Sequence, residues 1–317
     1  MYFLFFRLHS ARSPAVLFTI LPPEWYNPVI GSGSSGRQWR NSMKTLYVSD
    51  LDKTLMRSDK SLSPYTVSTL NRLIRKGVLF TYATARSIQS AKEITDGLEM
   101  TLPAVIRNGT TLADNTTGKL LWKAVFSAEE MEILMTRLPE LGPCGFVSTY
   151  FGDDMMKLCL DGAHSPGMQA YMEEHRNDPR FAAVGTLREM FAGSPGYVTL
   201  VDQKENLESA CARMKEYRGW EVVFQQDAYS PDYWLEICPD NSTKAKALLR
   251  LKAEIGADRL VVFGDSVNDL PMFAAADEAY AVSNAIDEVK AAATGIIGSN
   301  DEDSVARFIA RAEGISG

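Results

Sequence analysis

Asp50-Leu51-Asp52-Lys53-Thr54 follows the apolar run Leu46-Tyr47-Val48 and sets two carboxylates two residues apart, with a threonine behind them. At a strand end such a pair can supply a nucleophile and an acid/base group, with the hydroxyl as an anchor. A second acidic stretch, Gly264-Asp265-Ser266-Val267-Asn268-Asp269, follows the apolar run Leu260-Val261-Val262-Phe263 late in the chain. If Asp50, Asp52, Asp265 and Asp269 share one sheet edge, each like-charged pair ~4 Å apart costs on the order of 4 kcal/mol at an effective dielectric of 20. A cation must offset that repulsion. Hard oxygen donors with no His or Cys among them favour Mg2+, which takes one or two carboxylates together with waters and a substrate phosphate. Thr84, after a short apolar run, and Lys244, in the first turn of a helix, are candidate clamps for phosphate oxygens. The chemistry these residues suit is phosphoryl transfer. One carboxylate attacks phosphorus to give an aspartyl-phosphate, and a second protonates the leaving oxygen and then activates water.

Such residues need rigid elements to hold them. Ser63-Pro64 reads as N-cap and first residue of a helix that carries Val67, Leu70, Leu73 and Ile74 on one face and closes at Gly77. A buried strand at 78–83 ends in Thr84-Ala85-Arg86, a helix follows at about 87–98, and a further strand is expected at 104–106. Apolar strands alternating with amphipathic helices imply a parallel sheet, at whose carboxyl strand ends ligands collect. The same rhythm returns from Ser242 to the C-terminus, with strands at 260–263, 279–282 and 296–297 between helices. Between the two halves it breaks. Asn108-Gly109 and the turn at 114–118 suggest a hairpin. Ser127 with Glu130 forms a capping box, and a hairpin, helices and strands fill the rest up to 237. The fold class is therefore α/β, a Rossmann-like parallel sheet core with an inserted α+β cap domain. The expected division is 43–122 and 240–317 for the core and 123–239 for the cap.

Residues 1–42 differ from the rest. Their apolar residues are interrupted by Arg7, His9, Arg12, Pro14, Pro22 and Pro23, so no run reaches the ~20 residues of a spanning helix. Gly31-Ser32-Gly33-Ser34-Ser35-Gly36 matches a dinucleotide fingerprint in letters, yet no strand precedes it and no helical period follows, and it reads as a flexible linker. The segment is expected to be a dispensable extension. A formal net charge of −7 without a basic cluster argues against nucleic-acid and membrane partners. Cys144, Cys159, Cys211 and Cys238 form no metal or redox pair, which fits packed, reduced thiols in a cytoplasmic protein.

In order along the chain, Asp-x-Asp-x-Thr, Thr-x-Arg, a lysine on the returning helix and Gly-Asp-x-x-Asn-Asp resemble the motifs of the haloacid dehalogenase superfamily. Ile106-Arg107-Asn108-Gly109, Leu235-Glu236-Ile237-Cys238-Pro239 and Ser283-Asn284-Ala285 narrow the resemblance to Cof-type phosphatases with a type IIB cap. The resemblance runs from Met43 to the C-terminus. It implies a phosphoric monoester hydrolase in which Asp50 is nucleophile and Mg2+ ligand, and Asp52 is the acid/base group and also a metal ligand through its backbone carbonyl. It further implies Thr84, Lys244 and Asn268 at the phosphate, Asp265 and Asp269 at the metal, and Arg86 in an orienting role, although Arg86 and Asn284 could equally tie loops together. The expected substrate is a small phosphorylated metabolite, a sugar phosphate or a nucleotide-like cofactor. A phosphomutase and a non-catalytic phospholigand binder are the alternatives. Two positions depart from the pattern: Lys53 and Ser304 stand where glycine is common, and at Lys53 either the backbone is allowed for lysine or strain is stored.

Overall fold

The computed structural model describes residues 43–138, 145–152 and 154–315. The expected extension at 1–42 with its Gly/Ser run, and Cys144, lie outside the described residues.

Five strands make a wholly parallel sheet in the order β14-β13-β12-β1-β2, from β1 (Thr45–Ser49), β2 (Leu79–Tyr82), β12 (Arg259–Gly264), β13 (Glu278–Ala281) and β14 (Gly295–Ile296). Four of the five β1 residues are buried, because helices cover both faces of a parallel sheet and leave no solvent side to alternate with. Helix α1 (Pro64–Arg75) starts as its sequence dictates: the Ser63 hydroxyl accepts from the Thr66 backbone N–H at 2.9 Å, and Pro64 fills the first helical position. Leu70 and Leu73 of α1, Leu248 and Leu251 of α7 (Lys244–Glu254), and Ile309 of α10 (Ser304–Ala312) join Leu46, Val48, Phe80 and Val262 in one apolar core.

Beyond β2, helix α2 (Ile88–Thr95) leads to β3 (Ala104–Ile106), which meets the sheet through a single parallel bridge, Ala83 to Val105. The tight turn Arg107–Gly109 then reverses the chain, so β3 continues into an antiparallel ribbon with β4 (Thr111–Ala113) and β5 (Leu120–Lys123) instead of serving as one more full parallel strand. The turn at 114–118 joins β4 and β5, as the sequence suggested.

The insertion opens with α3 (Ala128–Arg137), whose Ser127–Glu130 capping box is present as read. A six-stranded sheet follows in the order β10-β11-β9-β6-β7-β8, made of β6 (Gly145–Phe151), β7 (Asp154–Leu160), β8 (Phe181–Val184), β9 (Ser194–Asp202), β10 (Trp220–Gln226) and β11 (Tyr233–Pro239). All of its pairs are antiparallel except β7 with β8. Helices α3 and α6 (Lys204–Lys215) cover one face, burying Leu134, Leu207 and Met214 against Val147, Val198 and Leu235. Helix α4 (Pro166–Glu174) lies on the other face, where Tyr171 stacks on Phe146. Two short elements escaped the sequence reading: β8, an alanine-rich strand of four residues, and α5 (Leu187–Met190), a single helical turn whose Thr186–Glu189 capping box was the available signal. Among the described residues no helix is long and apolar enough to cross a membrane.

Candidate active site

The carboxyl ends of β1 and β12 are neighbours in the parallel sheet, and each delivers its acidic motif to the same edge. Asp50 leaves β1 with its N–H still bonded to the Phe263 carbonyl at 2.9 Å, which fixes where the first carboxylate begins. Leu51–Leu55 then forms one wide turn, closed by Met56 N–H to the Leu51 carbonyl at 2.8 Å. Inside it Lys53 takes φ 53° and ψ 12°. The strain alternative is therefore the one this fold adopts, and a left-handed lysine costs roughly 1–2 kcal/mol relative to an unstrained backbone. Asn284 donates to the Lys53 carbonyl at 2.8 Å and holds that conformation. At Ser304 no strain arises, because the left-handed residue is its neighbour Asp303, φ 57°, whose carboxylate accepts from Ser63 and Thr66.

Carboxylate oxygens of Asp50, Asp265 and Asp269 lie within 4.8 Å of one another, and all three residues are buried. Lys244, 1% exposed, reaches between two of them: its Nζ donates to Asp50 Oδ1 at 2.7 Å and to Asp269 Oδ1 at 2.8 Å. Thr54 donates to Asp265 Oδ1 at 2.9 Å. The second oxygen of Asp269 accepts the N–H groups of Asp265 and Ser266 at 2.9 and 3.1 Å. Gly264 makes this possible, since a Cβ there would fall 2.6 Å from Asp269 Oδ2. Lysine 244 depends on a second close approach. Gly109, φ +96°, lies so near the start of α7 that a Cβ would sit 2.3 Å from the Thr243 carbonyl, and only glycine lets the Arg107–Gly109 turn lean on that helix end.

Burial raises Asp50 well above the ordinary carboxylate range; Lys244 pulls against this, and the charges of Asp269, Asp265 and Asp52 add to it. Asp265 is pushed up to about 7, by burial first and the charge of Asp269 next. For Lys244 burial disfavours the ammonium, but Asp269 and Asp50 outweigh it and hold the group above its usual range. Three carboxylates thus face one ammonium. The remaining negative charge and the all-oxygen donor set fit a hard divalent cation.

Asp52, two residues on, is in other company. Its carboxylate is held by a two-pronged pair from Arg86, Nε to Oδ2 at 2.9 Å and Nη2 to Oδ1 at 2.7 Å, and it accepts from the Tyr229 hydroxyl at 2.9 Å. It is not one of the three clustered carboxylates. Thr84 is fully buried at the end of β2, and its hydroxyl accepts from the Arg86 N–H at 3.1 Å. Asn268 turns its amide to Asn108 Oδ1 at 3.0 Å, and Asn108 in turn donates to Tyr197 and Glu236 of the inserted sheet at 2.7 and 2.9 Å. Sequence reasoning gave no role to Tyr229, Glu236 or Asn108 in joining the core to the insertion. For Glu236 the signal was present, a carboxylate between Leu235 and Ile237; Asn108 beside Gly109 reads only as a turn residue, and Tyr229 lies in the Asp/Ser/Pro-rich loop between β10 and β11 and carries none.

A family model described as haloacid dehalogenase-like hydrolase matches residues 47–309. The chain is 26% identical over 267 residues to the 5-amino-6-(5-phospho-D-ribitylamino)uracil phosphatase YitU of Bacillus subtilis, covering 82% of this chain and 94% of that one. It is 27% identical over 271 residues to the pyridoxal phosphate phosphatase YbhA of Escherichia coli, covering 82% and 95%. Its fold superposes on that of the HAD subclass IIB sugar phosphatase BT4131 with a TM-score of 0.66 at 18% identity, over 86% of this chain and 100% of that one.

Proposed function

This chain belongs to the haloacid dehalogenase-like hydrolases, of the Cof type, and we propose that this phosphatase uses Mg2+ and an aspartyl-phosphate on Asp50 to hydrolyse a small phosphorylated metabolite. The observation that carries the reading is the charge imbalance at the strand ends, three buried carboxylates against one buried ammonium. Asp50, Asp265 and Asp269, with the backbone carbonyl of Asp52, would hold the ion, and its charge would draw electron density from the phosphoryl oxygens.

The chain's own residues do the rest. Asp50 forms a bond to phosphorus as the ester oxygen leaves, and Asp52 gives that oxygen a proton. Asp52 then takes a proton from the water that cleaves the acyl-phosphate. The two-pronged Arg86 contact fixes which way the Asp52 carboxylate points, and Lys244 keeps Asp50 in place while weakening its repulsion of an incoming anion. Thr84, Lys244 and Asn268 are assigned to the phosphate oxygens. The substrates named for YitU and YbhA support the class of small phosphorylated metabolites. We place the core at 43–122 and 240–317 and the cap at 123–239, with residues 1–42 dispensable. A cytoplasmic location is supported by the free, buried thiols of Cys159, Cys211 and Cys238.

The test is phosphate release from a panel of phosphorylated metabolites with Mg2+ and after chelation, joined to a borohydride quench during turnover. Chelation should reduce turnover by at least about 100-fold, and borohydride should reduce the acyl-phosphate so that Asp50 is recovered as homoserine. Turnover indifferent to chelation, or no reduced Asp50 trapped during turnover, would sink the proposal.

A further inference from the structure

A cavity of about 460 Å³ opens between the two layers, lined from the core by Gln89, Arg107 and Lys119 and from the insertion by Tyr150, Met155 and Arg180. Three cationic side chains line it and no carboxylate does. Arg107 is only 5% exposed. A guanidinium stays charged under all ordinary conditions, and a buried charge is costly unless an anion meets it. Here the partners are neutral: Nη1 donates to the Ser148 hydroxyl at 2.8 Å, and Nη2 lies 3.4 Å from the Met155 sulfur. Among the described residues Arg107 makes no ion pair.

The neighbouring charges do not answer Arg107 either. Arg180 gives Nε and Nη2 to Asp178 at 2.8 and 2.7 Å, which leaves its Nη1 buried without an acceptor. Glu236 feels the charge of Arg107, but its carboxylate is already bonded by Asn108, and burial pushes it up to about 7. Lys157, on β7 two residues from Met155, is pushed down to about 7, by burial first and the charge of Arg107 next. The backbone is also set for this placement: Arg107 and Asn108 both take φ 50°, a left-handed pair that ordinary side chains avoid. The backbone links the cavity wall to Asp52: the Arg107 N–H donates to the Arg86 carbonyl at 3.1 Å, and the Arg86 side chain holds Asp52.

We propose that this cavity is a second anion subsite, which takes a carboxylate or a second phosphate of a substrate whose first phosphate is presented to Asp50. The preferred substrates are then phosphomonoesters with two separated anionic groups. The proposal rests on the phosphatase reading and narrows it. Arg107 supplies the fixed charge, Arg180 the unpartnered donor, and exposed Lys119 a charge at the cavity wall.

The experiment compares kcat/KM for ω-phosphoalkanoates of increasing chain length with that for the matching ω-phosphoalkanamides, and for alkanediol bisphosphates with that for the matching alkanol monophosphates. At one chain length the anionic member should win by about tenfold or more, and added salt should shrink the gap. The acid/amide and bisphosphate/monophosphate arms tell a carboxylate from a phosphate. In Arg107→Met the ratio should fall toward one, and in Lys119→Met, a change at an exposed position, by about threefold. Because each readout is a ratio within one preparation, loss of folded protein cancels. Ratios near one at every length in the wild type, or a preference that survives both substitutions, would overturn the subsite. A turnover-free arm separates this from the reading beneath it. Asp50→Asn should bind the acid more tightly than its amide by calorimetry, and the added Arg107→Met should abolish the difference. If no ester is hydrolysed yet that difference is found, the phosphatase reading falls and the subsite stands; if the difference is missing, the subsite falls.

Discussion

At the ends of β1 and β12 three acids are crowded together, while in the cavity beside β3 and β7 three cations gather, and the fold supports the two groups in different ways. Each acid has a partner within the protein: Lys244 bridges Asp50 and Asp269, and Thr54 meets Asp265. Among the cations, Arg107 is buried with only a hydroxyl and a thioether for company. The lesson is that burial alone does not mark a site as finished. What matters is which charge is left over once the protein's own partners are counted, negative at the catalytic edge and positive in the cavity.

The strongest way to break this contrast is at Asp52, which joins the two regions through Arg86. Asp52→Asn keeps the shape and removes the proposed proton carrier, so turnover should fall roughly 10^3- to 10^4-fold while Mg2+ and phosphate still bind. Steady-state kinetics with equilibrium dialysis of phosphate decides it; unchanged turnover would remove Asp52 from its role. Lys244→Ala attacks the compensated side. Asp50 and Asp269 would then face each other without their ammonium, and transition-state stabilisation should drop by about 3 kcal/mol, read from kcat/KM. A variant within about twofold of the parent would show that the ammonium serves packing only.

Glu236 offers the finest test, since it senses both Lys244 and Arg107 and is bonded by Asn108 and Tyr197. Its folded-state value, about 7, lies above the ordinary 4.5, so between these values the folded protein holds a proton that the unfolded chain has released. Rising pH through that window therefore favours unfolding. Glu236→Gln stays neutral and should gain on the wild type by roughly 2 kcal/mol from about pH 5 to about pH 8 in urea unfolding. An equal gap at both ends would mean that Glu236 ionises normally in the fold.

Most of the architecture was legible because its signals are local. Short apolar runs, Ser63-Pro64 before α1 and the Ser127–Glu130 box each act within a few residues, and the strands and helices fell close to where these placed them. The acid cluster was legible as well, since strand-end aspartates in a parallel sheet can go to only one edge. The splitting of Asp50 from Asp52 was not. Whether adjacent carboxylates share a cation or part company depends on Arg86 and Tyr229, and the latter arrives from a loop that no spacing rule connects to Asp52. Arg107 was hidden for a similar reason. Its sequence neighbours mark a turn, and only the surrounding insertion shows that its charge has no partner.

The parallel pairing of β1 with β12 also sets an order of manufacture. Asp50 is among the first described residues to be synthesised, and the lysine that meets it lies 194 residues further along, with Asp265 meeting Thr54 across 211. The central strand of the main sheet, β12, emerges only after the entire inserted unit. Loop-closure entropy grows only slowly with chain length, so the long excursion is tolerable, all the more if the inserted unit has already folded and shortened the path. A growing chain therefore carries Asp50 from the start but gains Lys244, Asp265 and Asp269 only after the inserted unit has been made.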